Sequence, residues 1–173
     1  SFSIGSNPFC VGESQGTGQV LVLGGTPPYS YLWSNGATTN LNHGLSAGSY
    51  RVTITDDNGC TAVDGVTLTD PVALTASVDA VDVDCFGEST GSLTVSVSGG
   101  TPPYSYIWTN GSDSATTGLV GSGNYNVVIT DFFGCTVAAA GTVNQPATAL
   151  GGSINLDQPI FCAGERTAII TAS

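Results

Sequence analysis

The chain has 173 residues and a formal net charge of −11, with two basic residues, Arg51 and Arg166, and no lysine. This balance excludes nucleic acid as a partner, because binding it requires cationic side chains that displace counterions. It also excludes a P-loop, a Schiff-base lysine and lysine isopeptide cross-links. Acidity with few charges in total suits a surface protein or a cation-rich medium. No leader or membrane-spanning run is present, which says nothing about secretion for a chain that opens inside a repeat.

In chain order, the first landmark is Cys10-Val11-Gly12-Glu13-Ser14. Gly24-Gly25-Thr26-Pro27-Pro28 follows; its two prolines cannot donate to a central ladder, so it is a turn or an edge. Tyr29-Ser30-Tyr31-Leu32-Trp33 reads as a strand with its aromatics on one face and Ser30 and Leu32 on the other. Asn35-Gly36 signals a tight hairpin. Tyr50, Val52 and Ile54 then alternate with Arg51, Thr53 and Thr55, which places one set in a core and the other in water. Asp56-Asp57-Asn58-Gly59-Cys60 closes the run as an Asx-type turn. Asp70-Pro71 ends the unit.

The same series starts again at Cys85, 75 residues after Cys10, and a third time at Cys162, 77 residues later. Gly99 to Tyr104 repeats the Gly-Gly-Thr-Pro-Pro-Tyr turn, Tyr106 and Trp108 repeat the aromatic strand, and Asn110-Gly111 repeats the hairpin. Leu93, Val95 and Val97 alternate with Thr94, Ser96 and Ser98. Tyr125, Val127 and Ile129 alternate with Asn126, Val128 and Thr130. Asp131-Phe132-Phe133-Gly134-Cys135 repeats the Asp-x-x-Gly-Cys corner. Gln145-Pro146 matches Asp70-Pro71. A fixed period of this kind marks a tandem array. It divides the chain into residues 1–71, 72–147 and 148–173, the last being the first strands of a third repeat. The chain is expected to be a window on a longer array. With strands and turns alternating about every 8–12 residues and no helical periodicity, each unit is expected to be an all-β sandwich. The short junctions are expected to make a stiff rod.

A unit of about 75 residues has a marginal core and needs a staple or a neighbour. Cys10 to Cys60 and Cys85 to Cys135 are both 50 residues apart. The simplest pairing is Cys10–Cys60 and Cys85–Cys135, one disulfide inside each repeat, with the partner of Cys162 outside the chain. A loop of that length contributes about 4 kcal/mol in the chain-entropy model. Four cysteines allow three connectivities, and five reduced buried thiols are a further alternative. The paired spacing in a chain rich in Thr, Ser and Gly points to an extracellular, oxidising setting.

The combination Cys-x-Gly-Glu-Ser, Gly-Gly-Thr-Pro-Pro-Tyr-Ser-Tyr-x-Trp-x-Asn-Gly and Gly-x-Tyr-x-Val-x-Ile-Thr-Asp-x-x-Gly-Cys closely resembles the SprB repeat. That family occurs in giant cell-surface adhesins of Bacteroidota, including gliding-motility adhesins. The resemblance covers both complete units and the stub, where Arg166 departs from Ser14 and Ser89. It implies an immunoglobulin-like fold, export by the type IX secretion route, long arrays on the cell surface and no catalytic residues.

Tyr31 and Tyr106 form either a sugar-stacking face or part of the core; a sandwich needs aromatic volume inside its strands, which favours the core. His43 is the only histidine and sits in a loop one residue longer than its counterpart, as a solvated polar residue. Asp79, Asp82 and Asp84, with Glu88 and Asp70 nearby, are a weak calcium candidate, because the matching segments of the other copies lack them. Otherwise no cofactor is expected. Glu13, Glu88 and Glu165 recur as structural hydrogen-bonding groups. Ser114, in Asp113-Ser114-Ala115, fits an O-glycosylation motif associated with Bacteroidota, and Asn110-Gly111-Ser112 is formally an N-glycosylation sequon.

The leading expectation is a non-enzymatic structural segment of an extracellular tandem-repeat adhesin or surface fibre, acting as stiff spacer or fibre shaft. Its partners would be neighbouring repeats or copies of itself and surface glycans, with no membrane insertion in this segment. The alternatives are a pilus-like subunit that polymerises by strand addition and a carbohydrate-binding module on the Tyr/Trp face.

Overall fold

The computed structural model describes residues 1–149, 151, 154–156 and 170–172. The first unit contains β1 (Phe2–Ser6), β2 (Gly16–Leu21), β3 (Ser30–Trp33), β4 (Leu41–Leu45), β5 (Gly48–Thr55) and β6 (Thr61–Leu68). These make two antiparallel sheets, β1-β2-β4 and β3-β5-β6. Period-two alternation drives the layering, because each strand has one apolar face to bury. Val20, Trp33, Val52 and Ile54 meet between the sheets, and Tyr29, Tyr31, Tyr50 and Val66 pack against them.

Two features mark this sandwich as immunoglobulin-like. A buried Trp stands on the strand that pairs with β5, and the Tyr50 hydroxyl donates back to the Ser46 carbonyl at 3.1 Å, forming a tyrosine corner at the start of β5. The Trp33 indole N–H donates to the Thr39 carbonyl at 2.8 Å.

The second unit repeats this plan with β7 (Thr75–Val81), β8 (Ser92–Ser98), β9 (Ser105–Trp108), β10 (Gly123–Thr130) and β11 (Thr136–Val143). β9, β10 and β11 form one sheet; β7 and β8 pair in the other. Where the first unit has β4, the second has only the bridges Gly91↔Val120 and Thr94↔Thr116. Thr116–Val120 thus lie alongside β8 without a full ladder. Val83, Leu93, Val95, Trp108, Val127, Ile129 and Val143 fill its own core. Trp108 donates to the Ser114 carbonyl at 2.8 Å and Tyr125 to the Gly121 carbonyl at 3.0 Å, each 75 residues on from its counterpart. In both units the expected inward faces are the buried ones, while Leu32 and Ile107 stay exposed. The Pro27–Pro28 and Pro102–Pro103 bonds are cis.

From the third copy, β12 (Ile154–Leu156) and β13 (Ile170–Ala172) pair antiparallel. Cys162, Glu165 and Arg166 lie outside the described residues.

Candidate functional site

The chemistry of the chain concentrates where the two units meet. Cys10 lies in the loop between β1 and β2. That loop is tied to the end of β6: Asn7 and Thr69 exchange two hydrogen bonds at 3.0 and 3.1 Å, and the Gly12 N–H donates to Asp70 Oδ1 at 3.2 Å. The Glu13 N–H closes the corner onto the Cys10 carbonyl at 3.3 Å.

Cys135 is held differently. Asp131 Oδ1 accepts from the N–H groups of Phe133 and Cys135 at 3.0 and 2.9 Å, and its Oδ2 accepts from Thr101 N–H at 2.9 Å. Asp131 is buried, and burial alone would raise its pKa. The N–H groups of Thr101, Cys135 and Phe133 outweigh burial and hold the carboxyl below the usual carboxylate range. Asp56 builds the same corner around Cys60, where the Thr26 N–H and then the Cys60 N–H depress its carboxyl.

The disulfide joins Cys10 to Cys135, with 5.6 Å between their Cα atoms, whereas among the described residues Cys60 and Cys85 are free thiols. The pairings Cys10–Cys60 and Cys85–Cys135 expected from spacing are therefore corrected, and with them the idea of one disulfide inside each repeat. The reason is geometric. Cys10 sits at the pole of the first sandwich where β6 ends, and Cys60 at the pole where β6 begins. An eight-residue strand separates the poles by more than about 20 Å, three times the reach of a disulfide. The pole bearing Cys10 also bears Asp70-Pro71, so it faces the start of the second unit. The staple thus crosses the junction.

Phe9 stacks on Phe133 beside the disulfide, with ring centroids 4.5 Å apart and planes 12° from parallel. Phe132 meets Phe133 edge-on at 5.2 Å. The connecting segment runs through the contact. The Gly100 N–H donates to the Val72 carbonyl at 3.1 Å. A Cβ on Gly99 would collide with the Ala73 carbonyl oxygen, and one on Gly100 would come within 2.9 Å of Leu74 Cδ1 and 3.0 Å of Asp131 Oδ2. Only glycine fits here, since both residues also hold positive φ. A cleft of about 390 Å³ lies between the units, lined by the disulfide, Pro71 and Phe133 among others.

The remaining candidates do not converge. Tyr31 and Tyr106 are half-buried, with their rings against the two cores. Ser114 and Asn110 are exposed; Ser114 lends its carbonyl to Trp108, and Asn110 Oδ1 caps the hairpin by accepting from Ser112 N–H at 3.1 Å. Asp82 accepts from the Asn144 backbone N–H at 2.8 Å, so its carboxylate serves the loop. Asp79 faces Thr94 across the ladder, and Asp84 leads into the Cys85 corner. Among the described residues no three His, Cys, Asp or Glu side chains come together as a metal site. His43 is exposed on β4.

Phe9, Phe133 and Leu74 were missed by sequence reading. Part of their signal was difference: Asn58 stands in the first copy where Phe133 stands in the second, and Asp84 stands in the second where Phe9 stands in the first, although Phe161 precedes Cys162 as Phe9 precedes Cys10.

No curated protein matches the chain. Similar solved structures include the N-terminal four Ig domains of Dscam1 isoform 9.44, at 13% identity and TM-score 0.35, covering 69% of this chain and 38% of that one. An amphioxus IgVJ-C2 molecule is 13% identical with TM-score 0.37, covering 77% of this chain and 98% of that one. Murine CEACAM1b is 13% identical with TM-score 0.31, covering 80% and 96%. The chain thus spans well under half of the Dscam1 structure. Over residues 4–38 and 77–113 it matches the family model described as the SprB repeat.

Proposed function

We propose that the chain is a non-enzymatic structural segment of an extracellular surface adhesin, in which residues 1–71 and 72–147 are two beads of a stiff shaft and 148–173 begin a third. The observation that carries this reading is the junction: a disulfide between units, a stacked Phe pair and a connecting segment seated on Gly99-Gly100. A flexible string would need none of these, because inter-domain contacts without a large interface leave domains free to move. Export to the cell surface accords with the SprB repeat and with a disulfide, which persists in oxidising compartments. Neighbouring repeats are then the chief partners, and exposed Ser114 is the residue to examine first for a glycan.

Small-angle X-ray scattering tests the shaft. The oxidised chain should fit one arrangement of its two units, and Cys135→Ser should broaden the scattering into that of a range of arrangements. An equally broad ensemble for the oxidised chain would overturn the proposal.

A further inference from the structure

The completed junction has two halves, and among the described residues each half occurs once more without a mate. At the far pole of the second unit, Cys85 sits in the same corner as Cys10: the Glu88 N–H donates to the Cys85 carbonyl at 3.2 Å, and the Gly87 N–H donates to Gln145 Oε1 at 3.0 Å, as Gly12 does to Asp70. At the near pole of the first unit, Cys60 sits in the corner of Cys135, with its N–H on Asp56 Oδ1 at 2.8 Å. Both thiols are exposed. Both are presented by backbone already in the geometry of the bonded pair.

The seat beside Cys60 is open. A cleft of about 150 Å³ lies between Ser1, Gly24, Gly25, Tyr29 and Asp56. In the second unit the corresponding space is filled by Val72–Leu74. A Cβ on Gly24 would meet nothing within 4 Å, whereas one on Gly99 would strike Ala73. Asp56 is half-buried where Asp131, beneath Gly100 and Leu74, is buried.

We propose that Cys60 and Cys85 are half-staples, each bonding the complementary cysteine of an adjoining SprB repeat of the same polypeptide, with that connection's Pro-led segment filling the cleft beside Cys60. The occupant is of the same polypeptide because Val72–Leu74 continues directly into β7, and Ser1, which leads into β1, borders the open cleft. A second copy threading the cleft would carry its own following strand onto the place held by β1. The bond forms by thiol–disulfide exchange: one thiolate attacks glutathione disulfide and releases glutathione, and the second thiolate displaces the other glutathione. Two thiols and one glutathione disulfide give one protein disulfide and two glutathione thiols. The proposal rests on the shaft reading, but it is read from thiol connectivity instead of scattering, so the two can fail separately.

Two extended chains test it in a glutathione redox buffer, with Cys162→Ser throughout. One carries residues 1–75 again ahead of Ser1; the other carries residues 72–147 again after Ala147. Chymotryptic mapping under non-reducing conditions should show Cys60 bonded to the added copy of Cys10 in the first, and Cys85 bonded to the added copy of Cys135 in the second. Each thiol should lose its alkylation by iodoacetamide. In the first chain, Gly24→Ala at the occupied cleft should restore alkylation of Cys60, while in the 173-residue chain the same change should leave Cys10–Cys135 intact. Continued alkylation of Cys60 and Cys85 in extended chains whose Cys10–Cys135 bond has formed would overturn the proposal. So would a ladder of 173-residue chains joined through Cys60–Cys85, which would put a second copy in the seat.

Discussion

Phe9 and Phe133, 124 positions apart in sequence, lie face to face beside the disulfide that binds their units. A stacked pair contributes about 0.5–1.5 kcal/mol beyond the area it buries. Phe133→Ala should therefore lower the equilibrium constant for closing Cys10–Cys135 roughly two- to tenfold. Alkylation trapping across a series of glutathione ratios measures it directly. Phe132→Ala, which removes the edge-on neighbour, should have a smaller effect.

Acid should loosen the Gly-Cys corners. Asp131 and Asp56 titrate lower in the folded chain than unfolded, so their contribution is complete above the unfolded value near 3.9 and is lost as pH falls through the folded values. The melting temperature should stay level from pH 7 to about 5 and fall below about 4. Asp131→Asn should flatten that fall in the second unit. It should also lower stability at pH 7 by about 1–3 kcal/mol, because the N–H groups of Thr101 and Cys135 lose a charged acceptor.

Trp108→Phe should cost the second unit about 2–4 kcal/mol, through the cavity left in its core and the Ser114 carbonyl left without its 2.8 Å donor. The chain has two tryptophans, so Trp33 then reports the first unit alone. Urea titration followed by fluorescence should show the first unit little changed, while circular dichroism shows an earlier transition for the second.

The strand faces were legible in the sequence because each has a strict period of two. Tyr50, Val52 and Ile54 point inward as their alternation requires. The turns were legible from Asn-Gly and Asp-x-x-Gly-Cys. The cysteine partners were not, and the cause lies in β3 and β4. β3 opposes β5 and β4 opposes β2, while β2 and β5 both start at the pole where Gly16, Leu45 and Leu68 meet. β3 and β4 therefore run in the same sense with no net reversal between them: β3 ends at mid-height, with Trp33 opposite Val52, and β4 continues towards the starting pole from Leu41, opposite Gln19. Four strands separate Cys10 from Cys60, yet the chain finishes at the opposite pole. Equal spacing in sequence carried no information about that shared traverse.

One difference between the copies predicts a stabilising change. Ser3 Oγ is buried with no hydrogen-bond partner among the described residues. The equivalent position on β7 is Val78, which packs against its core. Ser3→Val should stabilise the first unit by about 1 kcal/mol, by removing an unsatisfied hydroxyl and adding apolar contact. Thermal unfolding of that unit measures it; an unchanged or lower melting temperature would count against the burial of Ser3.

The staple also decides which parts of the chain bear load. Pulled from its two ends, the chain transmits tension from Cys10 straight to Cys135, bypassing the intervening sequence across a separation of 125 positions. β2 to β10 then sit in a slack loop, and roughly 400 Å of contour length stays locked however hard the ends are drawn. Only β1 on one side and the strands after Cys135 on the other can be peeled away. Reduction of one bond would release all of that length at once, so the surrounding redox state sets how far the chain can stretch.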